Sequence, residues 1–261
     1  LAGGAGDNAA GAVGVGAVRP GDAFVSLGTS GVLWVTTAAF APRPERGVHM
    51  FCHALPQTWH QMGVLLSAAS CLAWWSGISG QGEAELLAAL GMRPQMPAPC
   101  WFAPYLSGER TPHNDAQVRG GFLALAADTS HAAMTQAVLE GVAYAFRDAR
   151  DALAAAGTRI GEADLIGGGS RSAYWGEVLA SVLNLPLHQL ETSEHGCALG
   201  AARLARMAFE GEVRAAKPRR LRTFEPRPAL ARQYDESHRR WQALYGLLAH
   251  APVPYRDAAP A

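Results

Sequence analysis

Two glycine-rich turns constrain this chain most, because each closes an apolar run of strand length. Gly28-Thr29-Ser30-Gly31 stands inside "DAFVSLGTSGVLWVTT", whose flanks predict two strands of a β-hairpin. Gly167-Gly168-Gly169 follows the apolar run "ADLI" and precedes "SRSAYWGEVLASVLN", which predicts strand, turn and helix, with Ser170 or Ser172 as the cap. Glycine lets a backbone approach a neighbour or a ligand closely. Successive N–H groups in such turns form concave anion sites. Each turn, taken alone, reads equally well as structural punctuation; two in one chain, with the Thr29 hydroxyl, favour a phosphate site. The second does not spell G-x-G-x-x-G, since position 172 is Ser, so a Rossmann dinucleotide site has little support.

The remaining pattern places these turns in an α/β layered domain. "GVHMFCHALPQTWHQMGVLLS" predicts two short strands around Pro56-Gln57, and "SAASCLAWWSGIS" a helix opening between Ser67 and Ser70. "EAELLAALG" predicts a helix ended by Gly91. The Pro- and Gly-rich stretch that follows is a long loop, in which Glu109-Arg110 reads as an internal ion pair. Residues 128–157 form the clearest helix, with a cap among Asp128 to Ser130, a stop at Gly157 and a buried face through Met134, Val138, Val142, Ala145, Phe146 and Leu153. "LPLHQLE" predicts a strand, and "TSEHGCALGAARLARMAFEG" a helix whose Gly196 and Gly200 allow close backbone packing. A single terminal amphipathic helix is expected over 229–250.

Composition excludes several classes of function. Lys217 is the sole lysine and lies in "KPRRLR", so neither a Walker A loop nor a Schiff-base lysine is present. G-x-S-x-G is absent too. Lys+Arg 22 balances Asp+Glu 22, which implies no general attraction to nucleic acid, and "KPRRLR" reads as a solvated loop. No apolar stretch reaches the roughly 18 residues of a membrane span. Four cysteines without C-x-x-C spacing read as reduced, mostly buried thiols of a cytoplasmic protein. His49 and His53 stand four apart in an extended segment without an evident third ligand, so no metal site is expected. The opening lacks a Met and a signal-peptide pattern and reads as a piece of something longer.

Asp7, the single acid in "GGAGDNAAGAVGVGAV", has two readings. It is a helix N-cap, or a general base with room around it for a substrate hydroxyl. The two are compatible.

Taken together, "GGAGDNAAGAVGVGAV", "DAFVSLGTSGV", "FCHALPQTWHQMGVLLSAASCLAW", "PYLSGERTPHN", "AVLEGVAYAF" and "LIGGGSRSAYW" resemble the carboxy-terminal half of the FGGY carbohydrate kinases, in their xylulose kinase branch. The likeness runs through nearly the whole chain up to the terminal helix. It implies an actin-like (ribonuclease H-like) α/β ATPase domain over 1–261, with ATP and Mg²⁺ as cofactors. The resemblance makes Asp7 the base that deprotonates the 5-hydroxyl of D-xylulose, with Asn8 beside the sugar. Gly28, Thr29 and Ser30 match the second phosphate turn. Gly168 and Gly169 match the adenosine motif, with Ala173 one turn on, and Ala69 and Ala73 line the other side. Ala124 stands where the family usually carries Gly. The amino-terminal sugar-binding domain of the family is not in this sequence, so the chain alone is expected to be weakly active or inactive. Its partners are then D-xylulose, ATP and that missing domain, with no nucleic acid, no membrane and possible homodimerisation. Two alternatives stay open: a kinase for another sugar or polyol, and a non-catalytic actin-like nucleotide-binding module.

Overall fold

Alternation within the first hairpin sorts the molecule into layers. In the computed structural model, which describes residues 2–191, 196–212 and 215–251, β1 (Ala23–Leu27) pairs antiparallel with β2 (Gly31–Thr37). Side chains of a strand point to opposite faces with period two. Val25, Leu27, Leu33 and Val35 accordingly join one core cluster, while Phe24, Val32 and Trp34 join another. Both faces of this hairpin are therefore covered.

α1 (Asp7–Val15) precedes the hairpin and packs in the second cluster through Ala9, Ala12 and Val15. β3 (His49–Cys52) and β4 (Trp59–Leu65) follow as a second antiparallel pair, with Gln57 at φ 52° in the turn between them. After β4 come α2 (Ala69–Ser79) and α3 (Glu83–Ala88). The long loop carries only the short pair β5 (Trp101–Ala103) and β6 (Gly121–Leu123).

α4 (His131–Ala155) starts where expected, its Ser130 Oγ accepting the Ala133 amide at 3.2 Å, and Gly157 at φ 91° follows it. Every residue from Ala137 to Phe146 is buried, so α4 is a central helix and not one with a single buried stripe. β7 (Ala163–Ile166), α5 (Ala173–Leu183) and β8 (Leu187–Leu190) form a parallel β-α-β unit, and Ser172 Oγ caps α5 through the Trp175 amide.

α6 (Gly196–Glu210) meets α1 at backbone distance. A Cβ on Gly200 would lie 1.7 Å from the Ala10 carbonyl oxygen, and one on Gly14 would lie 1.9 Å from that of Gly196. Small residues are obligatory at this crossing. Residues 192–195, which precede α6 in the expected helical run, lie outside the described residues.

Three expectations need correction. β9 (Arg220–Phe224) is a strand antiparallel to β8, so the basic segment is only partly a loop. Its arginines read as solvated because four of the five residues are exposed, and the strand exists because β8 offers an open edge. Lys217, just before it, bridges Asp22 at 2.9 Å and Asp164 at 3.4 Å. Second, the terminal segment is two helices, α7 (Pro228–Trp241) and α8 (Ala243–Ala249), separated at Gln242. Third, Glu109 does not pair with the Arg110 guanidinium. Its Oε1 accepts backbone amides of Leu66 and Arg110, and its Oε2 is buried without a partner. Of the four thiols, Cys71 and Cys100 are buried while Cys52 and Cys197 are exposed.

The main sheet runs β3-β4-β2-β1-β7-β8-β9. α2, α4 and α5 share the core cluster on one face, and α1 covers the other. β1 and β7 are adjacent and parallel, but the chain leaves β1 toward β2 and leaves β7 toward β8. Such a reversal opens a crevice beyond the carboxyl ends of the two strands, where ligands of open α/β sheets bind.

Candidate active site

The two glycine turns meet at that crevice. Gly28 and Thr29 turn their carbonyls toward the start of α2: the Ala69 amide donates to Gly28 at 2.8 Å, and the Ala68 amide to Thr29 at 2.9 Å. Ser70 Oγ adds a bond of 2.7 Å to the Thr29 carbonyl. The first turn and α2 are thus one unit.

The second turn is shaped by its approach to β1. Gly167 has φ 88°, and a Cβ there would stand 2.7 Å from the Leu27 carbonyl. One on Gly169 would stand 2.5 Å from the Leu27 side chain. Packing alone demands these two glycines. Gly168 differs: the nearest atom to its Cβ would be on Arg171 at 3.7 Å, which leaves space beside it.

Between the turns lies a cavity of about 670 Å³. Six of the eight residues expected to bind nucleotide line it: Gly28, Thr29, Ala69, Ala73, Gly168 and Gly169. Ser30 and Ala173 do not. Ser30 is exposed at the tip of the hairpin, and Ala173 lines a different cavity, with Arg222 and Phe224. Ala173 opens α5 behind its cap, so the helix carries it past the crevice. The cavity also has lining that sequence reasoning missed. Leu72, Ala84, Leu87 and Trp175 give it apolar wall, and Glu83 and Arg171 give it charge. Their helical segments are legible in the sequence, but only the packing of α3 and α5 around α2 and α4 turns them toward one space.

Asp7 and Asn8 do not line this cavity. Gly6 is the N-cap of α1 and Asp7 its first residue, so the capping role belongs to Gly6. The Asp7 carboxylate is exposed, with Oδ1 accepting the Asn8 amide at 2.8 Å and the Asn8 side-chain amide at 3.3 Å. Beyond α1, the Ala17 carbonyl accepts from Thr36 Oγ1 at 2.8 Å, beside the start of β1. α1 packs through Ala9, Ala12 and Val15 on the face of the sheet opposite α2 and α5.

His49 and His53 do not converge on a metal. His49 lies in β3, whereas His53 Nε2 bonds the Ala17 carbonyl at 3.1 Å and its Nδ1 accepts the Leu55 amide at 3.2 Å. Among the described residues, no helix is long and apolar enough to cross a membrane.

Comparison with known proteins gives this arrangement its family. The profile of the FGGY family of carbohydrate kinases, C-terminal domain, matches residues 23–209. Xylulose kinase of Escherichia coli K12 is 49% identical over 210 residues, covering 80% of this chain and 43% of that protein. Among solved structures, a xylulose kinase from Brucella ovis is 52% identical with a TM-score of 0.90, covering 94% of this chain and 52% of that one. A xylulose kinase from Rhodospirillum rubrum is 28% identical with a TM-score of 0.82, covering 95% and 51%. The chain spans about half the length of these relatives. The fold has the actin-like ATPase architecture that the resemblance implies. The chain belongs to the FGGY family of carbohydrate kinases and corresponds to their C-terminal domain.

Proposed function

We propose that this chain is the ATP-binding, base-bearing half of a kinase that converts D-xylulose to D-xylulose 5-phosphate. The observation that carries the reading is the cavity at the reversal between β1 and β7, which gathers six small residues from three separate segments. Adenosine lies between Ala69 and Ala73 on one side and Gly168 and Gly169 on the other, where the lack of side chains permits close contact. Leu72, Leu87 and Trp175 supply the apolar wall for the base. The triphosphate follows the Gly28-Thr29-Ser30 turn over the sheet edge toward Asp7.

Asp7 is the general base of this reading. As the sugar oxygen bonds to the γ-phosphorus and ADP departs, the hydroxyl proton passes to the Asp7 carboxylate. Its exposed position leaves it open to a sugar held by the amino-terminal domain. Among the described residues no three His, Cys, Asp or Glu side chains form a metal site. The divalent ion, Mg²⁺, which the resemblance implies, would sit on the phosphates and be held by the other domain. D-xylulose as substrate is supported by the names of the relatives. A cytoplasmic setting fits four thiols without a disulfide among them.

Orientation of the sugar is a large share of catalysis, and the amino-terminal domain supplies most of its contacts. The 261-residue chain alone binds ATP weakly and turns over xylulose poorly or not at all. A coupled ADP-release assay on the chain, with and without its amino-terminal domain, tests this. Turnover by the chain alone at the rate of the two-domain protein overturns it.

A further inference from the structure

The loop residue Glu109 is buried, with 1% of its surface exposed, and the mechanism above does not use it. Its surroundings give it a specific task. β4 pairs with β3 only as far as Met62, opposite His49, and past that point the edge carrying the Val64 and Leu66 amides faces no strand. Glu109 Oε1 takes the Leu66 amide at 3.0 Å, together with the Arg110 amide at 2.7 Å.

The backbone that carries this carboxylate is itself clamped. The Glu109 amide and carbonyl both pair with Asp115 at 2.8 Å. Two residues on, the Thr111 amide donates to the Val64 carbonyl and Thr111 Oγ1 accepts the Val64 amide, each at 2.9 Å. The loop thus continues along the edge of β4 that β3 leaves, through one backbone bond and the side chains of Thr111 and Glu109. Immediately after Leu66, the amides of Ala68, Ala69 and Ser70 bond the Gly28 and Thr29 carbonyls. The chain therefore runs without a break from Glu109 through Leu66 to the phosphate turn and the Ala69–Ala73 wall.

We propose that Glu109 is a positioning residue of the nucleotide cavity: it holds the β4–α2 corner so that the α2 wall and the Gly28-Thr29 turn keep their mutual spacing. This rests on the nucleotide reading given above. A carboxylate suits the place because charge strengthens both amide bonds. Burial raises its pKa to about 7 against the pull of those amides, so measurements belong near pH 8, where it is ionised.

The test uses the two-domain kinase with Glu109→Gln, and Thr111→Val as the comparator that weakens the same loop two residues on. Glu109→Gln is expected to raise KM for ATP about 10-fold, the cost of a poorly satisfied buried bond, while KM for the sugar stays within a factor of about 2. Thr111→Val is expected to lower Tm without that split. Equal changes in both KM values, or a lowered Tm with KM for ATP unchanged, overturn the proposal. Should Glu109→Gln not fold, amide exchange in the unsubstituted protein decides. ATP saturation must then slow exchange at Leu66 and Ala69, and no slowing overturns the proposal. Ala73→Trp separates the two readings. If the unsubstituted protein fails to bind ATP, or Ala73→Trp binds it equally well, the nucleotide site is misplaced. If Ala73→Trp blocks ATP and Glu109→Gln has no effect, only the role of Glu109 fails.

Discussion

The His60 imidazole lies flat on the Trp34 indole, ring centroids 3.6 Å apart and planes 14° from parallel. Its Nδ1 is buried without a hydrogen-bond partner, and His53 stands 6.4 Å away. Burial, with the His53 charge adding to it, pulls the His60 pKa down to about 4. The folded value thus lies below the unfolded one near 6.5, so this stabilisation is complete above pH 6.5 and is lost as pH falls through 4. At 1.36 kcal/mol per unit, the loss is about 3 kcal/mol. His60→Phe keeps a ring on Trp34 and is expected to flatten the decline. Urea unfolding of both proteins between pH 7 and pH 4 measures it, and parallel curves would refute the assignment.

The α1–α6 crossing predicts a steric failure. Gly200→Val places branched carbon atoms where even a Cβ meets the Ala10 carbonyl. Backbone must then separate from backbone, at a cost of about 3 kcal/mol, the upper part of the overpacking range. Because α1 carries Asp7 at its first turn, the two-domain kinase is expected to lose activity along with stability. Chemical denaturation and initial rates, taken together, test the coupling.

Ala124 predicts a gain. It is exposed and sits at φ 60°, in the left-handed region that glycine occupies without penalty. Ala124→Gly relieves about 1 kcal/mol of backbone strain, less a few tenths for the freer unfolded chain. A small rise in Tm with unchanged activity is the expected result.

For the chemistry, Asp7→Asn in the two-domain kinase is expected to lower kcat by about 100- to 10,000-fold, the usual worth of a general base. ATP affinity should be nearly unchanged, since Asp7 does not line the cavity. Calorimetric titration with a non-hydrolysable ATP analogue, alongside steady-state rates, separates the two effects. A kcat near that of the parent would remove Asp7 from its role.

Local pattern carried much of this protein. The β-branched and aromatic residues on either side of Gly28-Thr29-Ser30-Gly31 determined the hairpin, because strand preference and turn chemistry are local. Ser130 and Gly157 bounded α4, and Ser172 capped α5, because caps bond within a turn of their own position. Tertiary structure decided what depends on distant partners. β9 is a strand only because β8 presents an edge to it, and Glu109 binds backbone 43 residues away, where adjacency in sequence had suggested Arg110. The convergence of Ala69, Ala73, Gly168 and Gly169 on one cavity, and the departure of Ser30 and Ala173 from it, follow from how the sheet brings β1 beside β7. Contacts set by chain neighbours are written in short stretches of residues, whereas contacts set by the reversal of the sheet exist only once the layers have packed.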